Sequence, residues 1–205
     1  MPAPIDHDSR RRDVASAVWR VLAATGFAGL SLRGVAREMN ATTGLLTHYF
    51  PNKRALVLHA LEMLHEQSDR ELADSDPLHG IAGLRTRLWI VLPTNPERAV
   101  LSRIWVSFWD LALADEDFSV HEARRYDRWR ERLRPIVSEA IDSGEIVGTD
   151  PETVIDIVTA FTHGLVVQTL FDPDRFPAER LETLLDSLLA TVATRGSAWR
   201  TRVSD

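Results

Sequence analysis

Apolar residues recur along this chain at spacings of three and four, and almost nowhere in strict alternation, so the pattern predicts helices and no strands. Val14, Val18, Val21 and Leu22 form the first stripe, on a helix that Asp8 or Ser9 could cap and that runs to about Thr25. Residues 1 to 8 read as a disordered arm. Gly26 and Gly29 make a corner, with Phe27 expected over a small core. Leu32, Val35, Ala36 and Met39 mark a second helix. Leu46 and Phe50 mark a third, short one. Leu56, Ala60, Met63 and Leu64 point inward from a fourth, over 52–73, that the segment ADSDP at 73–77 should break.

Further on, a helix over 80–93 is stopped by Pro93 and Pro96. The next, about 96–114, carries Leu101, Ile104, Trp105, Phe108, Leu111 and Ala112 on one side and Val106, Trp109 and Leu113 on another. It reads as the most apolar helix in the chain and so as central to its domain. A long charged helix over 117–143 bears Tyr126 and Trp129, and Pro135 should kink it. Thr149 or Asp150 caps the first of two closing helices, 151–171 and 178–194. The last is cleanly amphipathic, with Leu181, Leu184, Leu185, Leu188, Leu189 and Val192 in line. The fold class is therefore all-α, without internal repeat or low-complexity segment.

The stretch 31–54 has chemistry of its own. Ser31 can cap the second helix, and Asn40 suits the left-handed residue that ends it. Thr42 can cap the third helix, while Leu46 and Phe50 pack it back onto the second. Thr43, Gly44, Leu45, Thr47, His48 and Tyr49 are left outward: short, hydroxyl-rich and nearly uncharged. Such a surface can enter the major groove and offers donors, acceptors and small apolar faces. Pro51 stops the helix, and Asn52 can cap the next with Lys53 in its first turn, a phosphate site in the making. Together these are the parts of a helix-turn-helix, with the third helix as reader.

At these residues the sequence resembles the TetR family of bacterial transcriptional regulators. The runs are G-L-S-L-R-G-V-A and A-T-T-G-L-L-T-H-Y-F-P-N-K-R-A-L. Thr42, Gly44, Leu46, Tyr49, Phe50, Asn52, Lys53 and Leu56 match that family's pattern. Thr47 stands where a tyrosine is frequent, and Asn40-Ala41 where Gly-Val is frequent. The resemblance implies a three-helix DNA-binding head over 1–54, linked by helix 52–73 to an effector-binding and dimerisation body over 55–205. It further implies that Thr43, Gly44, Leu45, Thr47 and Tyr49 meet base edges and sugar-phosphate. Arg33, Thr42, His48 and Lys53 then chiefly meet phosphates.

Charge agrees with that division. Residues 1–54 carry eight Lys/Arg against four Asp/Glu, +4, and the remainder sixteen against twenty-six, −10, within an overall −6. A basic head on an acidic body suits a protein that presents one end to nucleic acid. Arg10, Arg11 and Arg12 lie in the first turn of the first helix, where the helix dipole disfavours cations. Two readings stand: they solvate a free end, or they meet phosphates.

The two closing helices offer the best dimer face, with His163, Gly164, Val167, Leu181, Leu184 and Leu188 as its candidates. The family resemblance places its interface there, against the plainer reading that both helices only finish the subunit core. Trp89, Trp105, Phe108, Trp109, Tyr126, Trp129 and Phe161 either complete ordinary core or line an effector cavity. Asp110 or Asp156 is then the counter-charge, and His163 and Gln168 are polar liners or satisfied polar groups. Residues 103–113 and 160–165 are similar to the body of choline-sensing repressors of the betaine pathway, which implies a cationic or amphiphilic effector held by cation–π attraction.

There is no cysteine, hence no disulfide framework or thiolate metal site. His59, His65, Glu62 and Glu66 make no compact metal constellation and read as a solvated face, so no metal or cofactor is expected. No apolar stretch reads as long enough to cross a bilayer, and MPAPIDHDSRRR lacks a signal peptide's apolar core, so a cytoplasmic protein is expected. No phosphate-binding glycine loop, G-x-S-x-G or H-E-x-x-H occurs, and no enzyme is expected. The reading is a homodimeric regulator that binds operator DNA, a repressor released by a small effector. Its rivals are an all-helical protein-interaction module and a helical enzyme using the aromatic cavity.

Overall fold

The computed structural model describes residues 7–73, 79–147 and 149–194. Among these residues the chain forms nine helices and no strand. They are α1 His7–Gly29, α2 Leu32–Glu38, α3 Thr43–Tyr49, α4 Lys53–Ala73, α5 Gly80–Val91, α6 Pro96–Ala114, α7 Glu116–Asp142, α8 Pro151–Phe171 and α9 Ala178–Thr194. The expected elements are all present, and the ends differ little. α1 starts at His7, so positions 8 and 9 fall within its first turn and not before it. Its regular part stops at Thr25 because Gly26 adopts φ 64°, a left-handed turn that costs glycine nothing. Residues 1–6 of the expected arm, and 74–78 of the expected break, lie outside the described residues.

The helices group into two compact units. One comprises α1 to α4 and Arg103–Glu122; the other comprises α5, α6 up to Ser102, α7 from Ala123, α8 and α9. In the first unit α1 packs on α4 and α2, and α2 on α3. Val14, Val18, Leu22, Val35, Leu46, Phe50, Leu56, Ala60 and Leu64 fill its core. Trp19 Nε1 donates to the Ala60 carbonyl at 3.0 Å, tying α1 to α4. Phe27 is only half-buried, and Leu30, 2% exposed, takes the core position expected of it.

His65 departs further from expectation. It is buried rather than on a solvated face, stacked on Trp105 at 5.3 Å between ring centres and 3.4 Å from Glu122. Arg54 reaches Asp115 at 2.8 Å and also Asp117, and its guanidinium lies over Phe118. The Arg54 hydrogen bond holds the Asp115 carboxyl below its ordinary value.

In the second unit α5, α8 and α9 pack on one another. Arg85 of α5 pairs with Asp186 at 2.6 Å and Glu182 at 2.7 Å on α9, and these hydrogen bonds, Asp186 first, raise its pKa. Glu145 accepts from Ile81 N at 2.9 Å and so caps α5 from 64 residues away. Gly80 makes this approach possible: its φ is 60°, and a Cβ there would strike the Glu145 carboxylate. Asp150 is the α8 cap, accepting from Thr153 N at 3.0 Å, and α7 passes unbroken through Pro135.

Two expectations about apolar helices need correction. α6 is not the most apolar; α8 is. Of the α6 stripe only Ile104 and Phe108 are buried, and Leu113 is 91% exposed. α8 is also long and apolar enough, by length and composition alone, to cross a membrane. Its Val154, Ile155, Val158, Leu165 and Val166 are instead buried in the protein, as in the core helix of a globular unit.

Candidate nucleic-acid interface

The corner between α2 and α3 is built by short-range hydrogen bonds. Ser31 Oγ accepts from Gly34 N at 3.0 Å and starts α2. Asn40 ends it with φ 51°. Ala41 N donates to Ala36 O at 2.9 Å and Asn40 N to Arg37 O at 3.1 Å, the paired bonds of a Schellman ending. Two residues later Thr42 Oγ1 accepts from Leu45 N at 3.3 Å and starts α3. The turn is therefore short, because both caps are supplied by adjacent residues.

α3 keeps a single buried side chain, Leu46, followed by buried Phe50 at its C-cap. None of the six expected reading residues is buried. Gly44, Thr47 and His48 are exposed, and Thr43, Leu45 and Tyr49 are half-exposed. Thr47 Oγ1 donates to Gly44 O at 3.1 Å, so it offers outward a methyl group and acceptor lone pairs. His48 meets Tyr49 edge to face at 5.3 Å, which orders the two rings at the end of α3. Thr42 and Arg33 are exposed as well.

Behind α3 is a support that single-chain patterning did not reveal. Phe50 stacks on His59 of α4, ring centres 5.1 Å apart. His59 Nε2 donates to the Arg11 carbonyl of α1 at 3.1 Å. α3 is thus pinned through one ring to two other helices, and His59 is not the solvated residue expected. Asn52 caps α4, accepting from Ala55 N at 2.9 Å. Lys53 follows, but its ammonium lies 4.2 Å over the Phe27 ring and donates to the Phe27 carbonyl at 3.5 Å. Lys53 therefore fastens the α1–α2 corner to α4, a role its place in the sequence did not show. Arg11 and Arg12 are exposed.

The expected effector residues fall in both units. Trp105, Phe108, Trp109 and Asp110 belong to the first, where Phe108 is core and Asp110 is exposed. Trp89, Tyr126, Trp129 and Phe161 belong to the second. Trp129 is buried there, with Nε1 donating to Thr159 Oγ1 at 3.0 Å. The Tyr126 hydroxyl lies 3.0 Å from His163 Nδ1, so His163 turns toward α7. Asp156 is exposed and accepts from Arg130 at 3.1 Å, while Gln168 is exposed.

Of the expected dimer residues, Leu181 is fully buried within the subunit and cannot face a partner. Gly164, Val167, Leu184 and Leu188 keep partial exposure. Exposed Ile157 and Phe171, which the sequence reading passed over, extend the same face of α8 in both directions.

Comparison with known proteins gives the same architecture. The family model for bacterial regulatory proteins of the tetR family matches residues 15–60. The model for the C-terminal part of BetI-type transcriptional repressors matches residues 81–194, more than half of the chain. The sequence is 28% identical over 190 residues to the HTH-type transcriptional regulator PksA of Bacillus subtilis, covering 90% of each chain. It is 29% identical over 125 residues to the HTH-type transcriptional regulator BetI of Burkholderia cenocepacia, spanning 56% of this chain and 61% of that one. A transcriptional regulator of Saccharomonospora viridis, solved in complex with choline, superposes with a TM-score of 0.82 at 19% identity, over 90% of this chain and 97% of that one.

Proposed function

Because the chain belongs to the TetR family of bacterial transcriptional regulators, with the body of a BetI-type repressor, we propose that it represses by holding operator DNA as a homodimer and lets go when a small molecule enters its body. We take residues 1–54 as the DNA-binding part and 55–205 as the effector and dimerisation part, acting in the cytoplasm. The observation that carries the reading is α3, a seven-residue helix anchored by Leu46 and Phe50 whose remaining side chains stay open to solvent. Thr43, Gly44, Leu45, Thr47 and Tyr49 meet base edges and sugar-phosphate. Arg33, Thr42, His48 and Lys53 chiefly meet phosphates, which position the helix without reading sequence.

Dimerisation supplies the second half-site, about one helical turn or ~34 Å from the first. Support comes from the outer face of α8. Ile157, Phe161, Gly164, Val167 and Phe171 recur along it at helical spacing, with Ile157 49% and Phe171 83% exposed. A Cβ on Gly164 would meet nothing within 4 Å in the subunit, so its smallness serves no purpose inside one protomer. Half-exposed Leu184 and Leu188 of α9 continue the patch. Two copies facing each other across a twofold axis would form a four-helix bundle.

Effector binding in the body then changes the separation of the two heads, and one half-site is lost. By linkage, DNA must weaken effector binding by the same factor. A gel shift with the DNA upstream of the chain's own coding region, at stated salt, tests the reading. Retardation of that fragment well beyond an unrelated one supports it. Equal retardation would favour a protein-interaction module instead.

A further inference from the structure

We propose that Arg11 of α1 grips a backbone phosphate of the DNA that α3 enters, and that His59 of α4 is the positioning residue that holds it there. The inference rests on the reading of α3 as the DNA-facing helix.

A run of ring contacts leads from α3 to α1. His48 meets Tyr49 at 5.3 Å between ring centres, and Tyr49 meets Phe50 at 6.5 Å. Phe50 stacks on His59 at 5.1 Å, and His59 Nε2 donates to the Arg11 carbonyl at 3.1 Å. The backbone at Arg11 therefore lies one imidazole away from the C-terminal end of α3. α4 brings the two together by presenting a single side chain to both. A phosphate contact made here would sit next to the helix it has to orient, which is what backbone contacts do for a reading helix.

The Arg11 side chain is placed to use that position. It precedes Val14, Ala15 and Val18 at helical spacing, and all three are buried, so Arg11 continues the inward face of α1. Arg11 itself is exposed, so the core ends between it and Val14, and its guanidinium emerges at that edge. Asp13, two residues on, points to another side of the helix. Side chains on a helix lean toward its N-terminus, so the Arg11 charge sits over the first turn of α1, where the helix dipole disfavours a cation in the free protein. A phosphate bound there is attracted by the dipole and the guanidinium together, and the guanidinium fork matches its oxygens. DNA thus turns an unfavourable placement of charge into a favourable one.

The test is fluorescence anisotropy of the full chain on the DNA upstream of its coding region and on an unrelated duplex of equal length, over a series of salt concentrations. Arg11→Gln should weaken both about five- to tenfold near ~0.1 M salt and lower the slope of log K against log salt by about 0.9, the loss of one phosphate contact. Arg11→Lys keeps the charge and should restore most of that slope. Arg70→Gln removes the same charge from an exposed position about 16 Å along α4 from His59 and should change neither. His59→Phe keeps a ring on Phe50 but loses the bond to Arg11, so it should lower the slope as Arg11→Gln does, and the double variant should lower it no further. A slope that Arg11→Gln leaves unchanged, or that Arg70→Gln lowers equally, would overturn the phosphate contact. Additive losses in the double variant would overturn the role of His59. Should His59→Phe melt early, Arg11→Gln, at an exposed position, still decides the contact. A wild type that binds neither duplex sinks the regulator reading along with the proposal, whereas a wild type that binds while Arg11→Gln is indifferent sinks the proposal alone.

Discussion

α3 and α8 are opposites. α3 has seven residues, buries one side chain and leaves a surface of hydroxyls, a glycine, a histidine and a tyrosine. α8 has twenty-one residues, buries eight, and still leaves Ile157 and Phe171 in the open. The first surface is cheap to hydrate and can be exchanged for base edges and phosphates, which are hydrated too. The second gains only by leaving water, which another apolar surface provides. Under the proposed reading, what each helix leaves uncovered suits its partner: a polyanion for α3 and a second copy of the chain for α8.

The contrast can be broken most severely from beneath α3. Phe50→Ala removes a 2% exposed ring and the stack with His59, so it should destabilise the protein by about 3–5 kcal/mol. Thermal melting would show it, with DNA binding falling as the anchor is lost. A change in melting no larger than that of an exposed substitution would mean that α3 is held in some other way.

On α8 the expected damage is to assembly and not to folding. Gly164→Trp enters open space in the protomer but fills the proposed contact, so sedimentation should show monomers of unchanged helicity. A hot-spot position near the centre of an interface carries about 2 kcal/mol or more. Persisting dimers would move the interface elsewhere. A smaller effect is expected at the turn. Asn40→Val places a β-branched residue at φ 51° and should cost about 1–2 kcal/mol in a denaturant titration, whereas Asn40→Gly should cost little.

The smallest effect concerns Arg54 and Asp115. Hydrogen bonding to Arg54 lowers the Asp115 pKa below its ordinary 3.8 in the folded chain. The folded form thus binds its proton less readily than the unfolded form, and the pair's contribution is complete at pH values above 3.8. It fades as the pH falls through the lowered folded value. Both groups are solvent-accessible, so the contribution is slight and further screened by salt. Arg54→Gln should erase this acid-limb difference in urea titrations and leave neutral stability nearly unchanged.

The sequence was most legible where one residue acts on its near neighbours. Ser31, Asn40, Thr42, Asn52 and Asp150 all cap or end the helices their types suggested, because a cap reaches only two or three residues along the chain. Helical periods were legible for the same reason. The burial of His65, the hold of His59 on α1 and the contact of Lys53 with Phe27 were not legible, because the partners Glu122, Arg11 and Phe27 lie tens of residues away and no spacing along the chain encodes such meetings. Leu181 and Leu184 look alike on the α9 stripe, yet Leu181 is buried and Leu184 half-exposed, a difference set by tertiary packing and not by spacing. The aromatic residues of the body were legible as a group, but the guanidiniums lying over Tyr126 and Trp89 were not.

The most direct measurement is fluorescence anisotropy of the upstream duplex with Thr47→Glu. Thr47 is exposed on α3 and its hydroxyl bonds locally to the Gly44 carbonyl, so the variant should fold and melt as the wild type does. With a carboxylate facing the groove, specific DNA binding should fall at least about a hundredfold, equivalent to roughly 2.7 kcal/mol. Retained specific affinity in a folded Thr47→Glu protein would contradict the assignment of α3 as the reading surface.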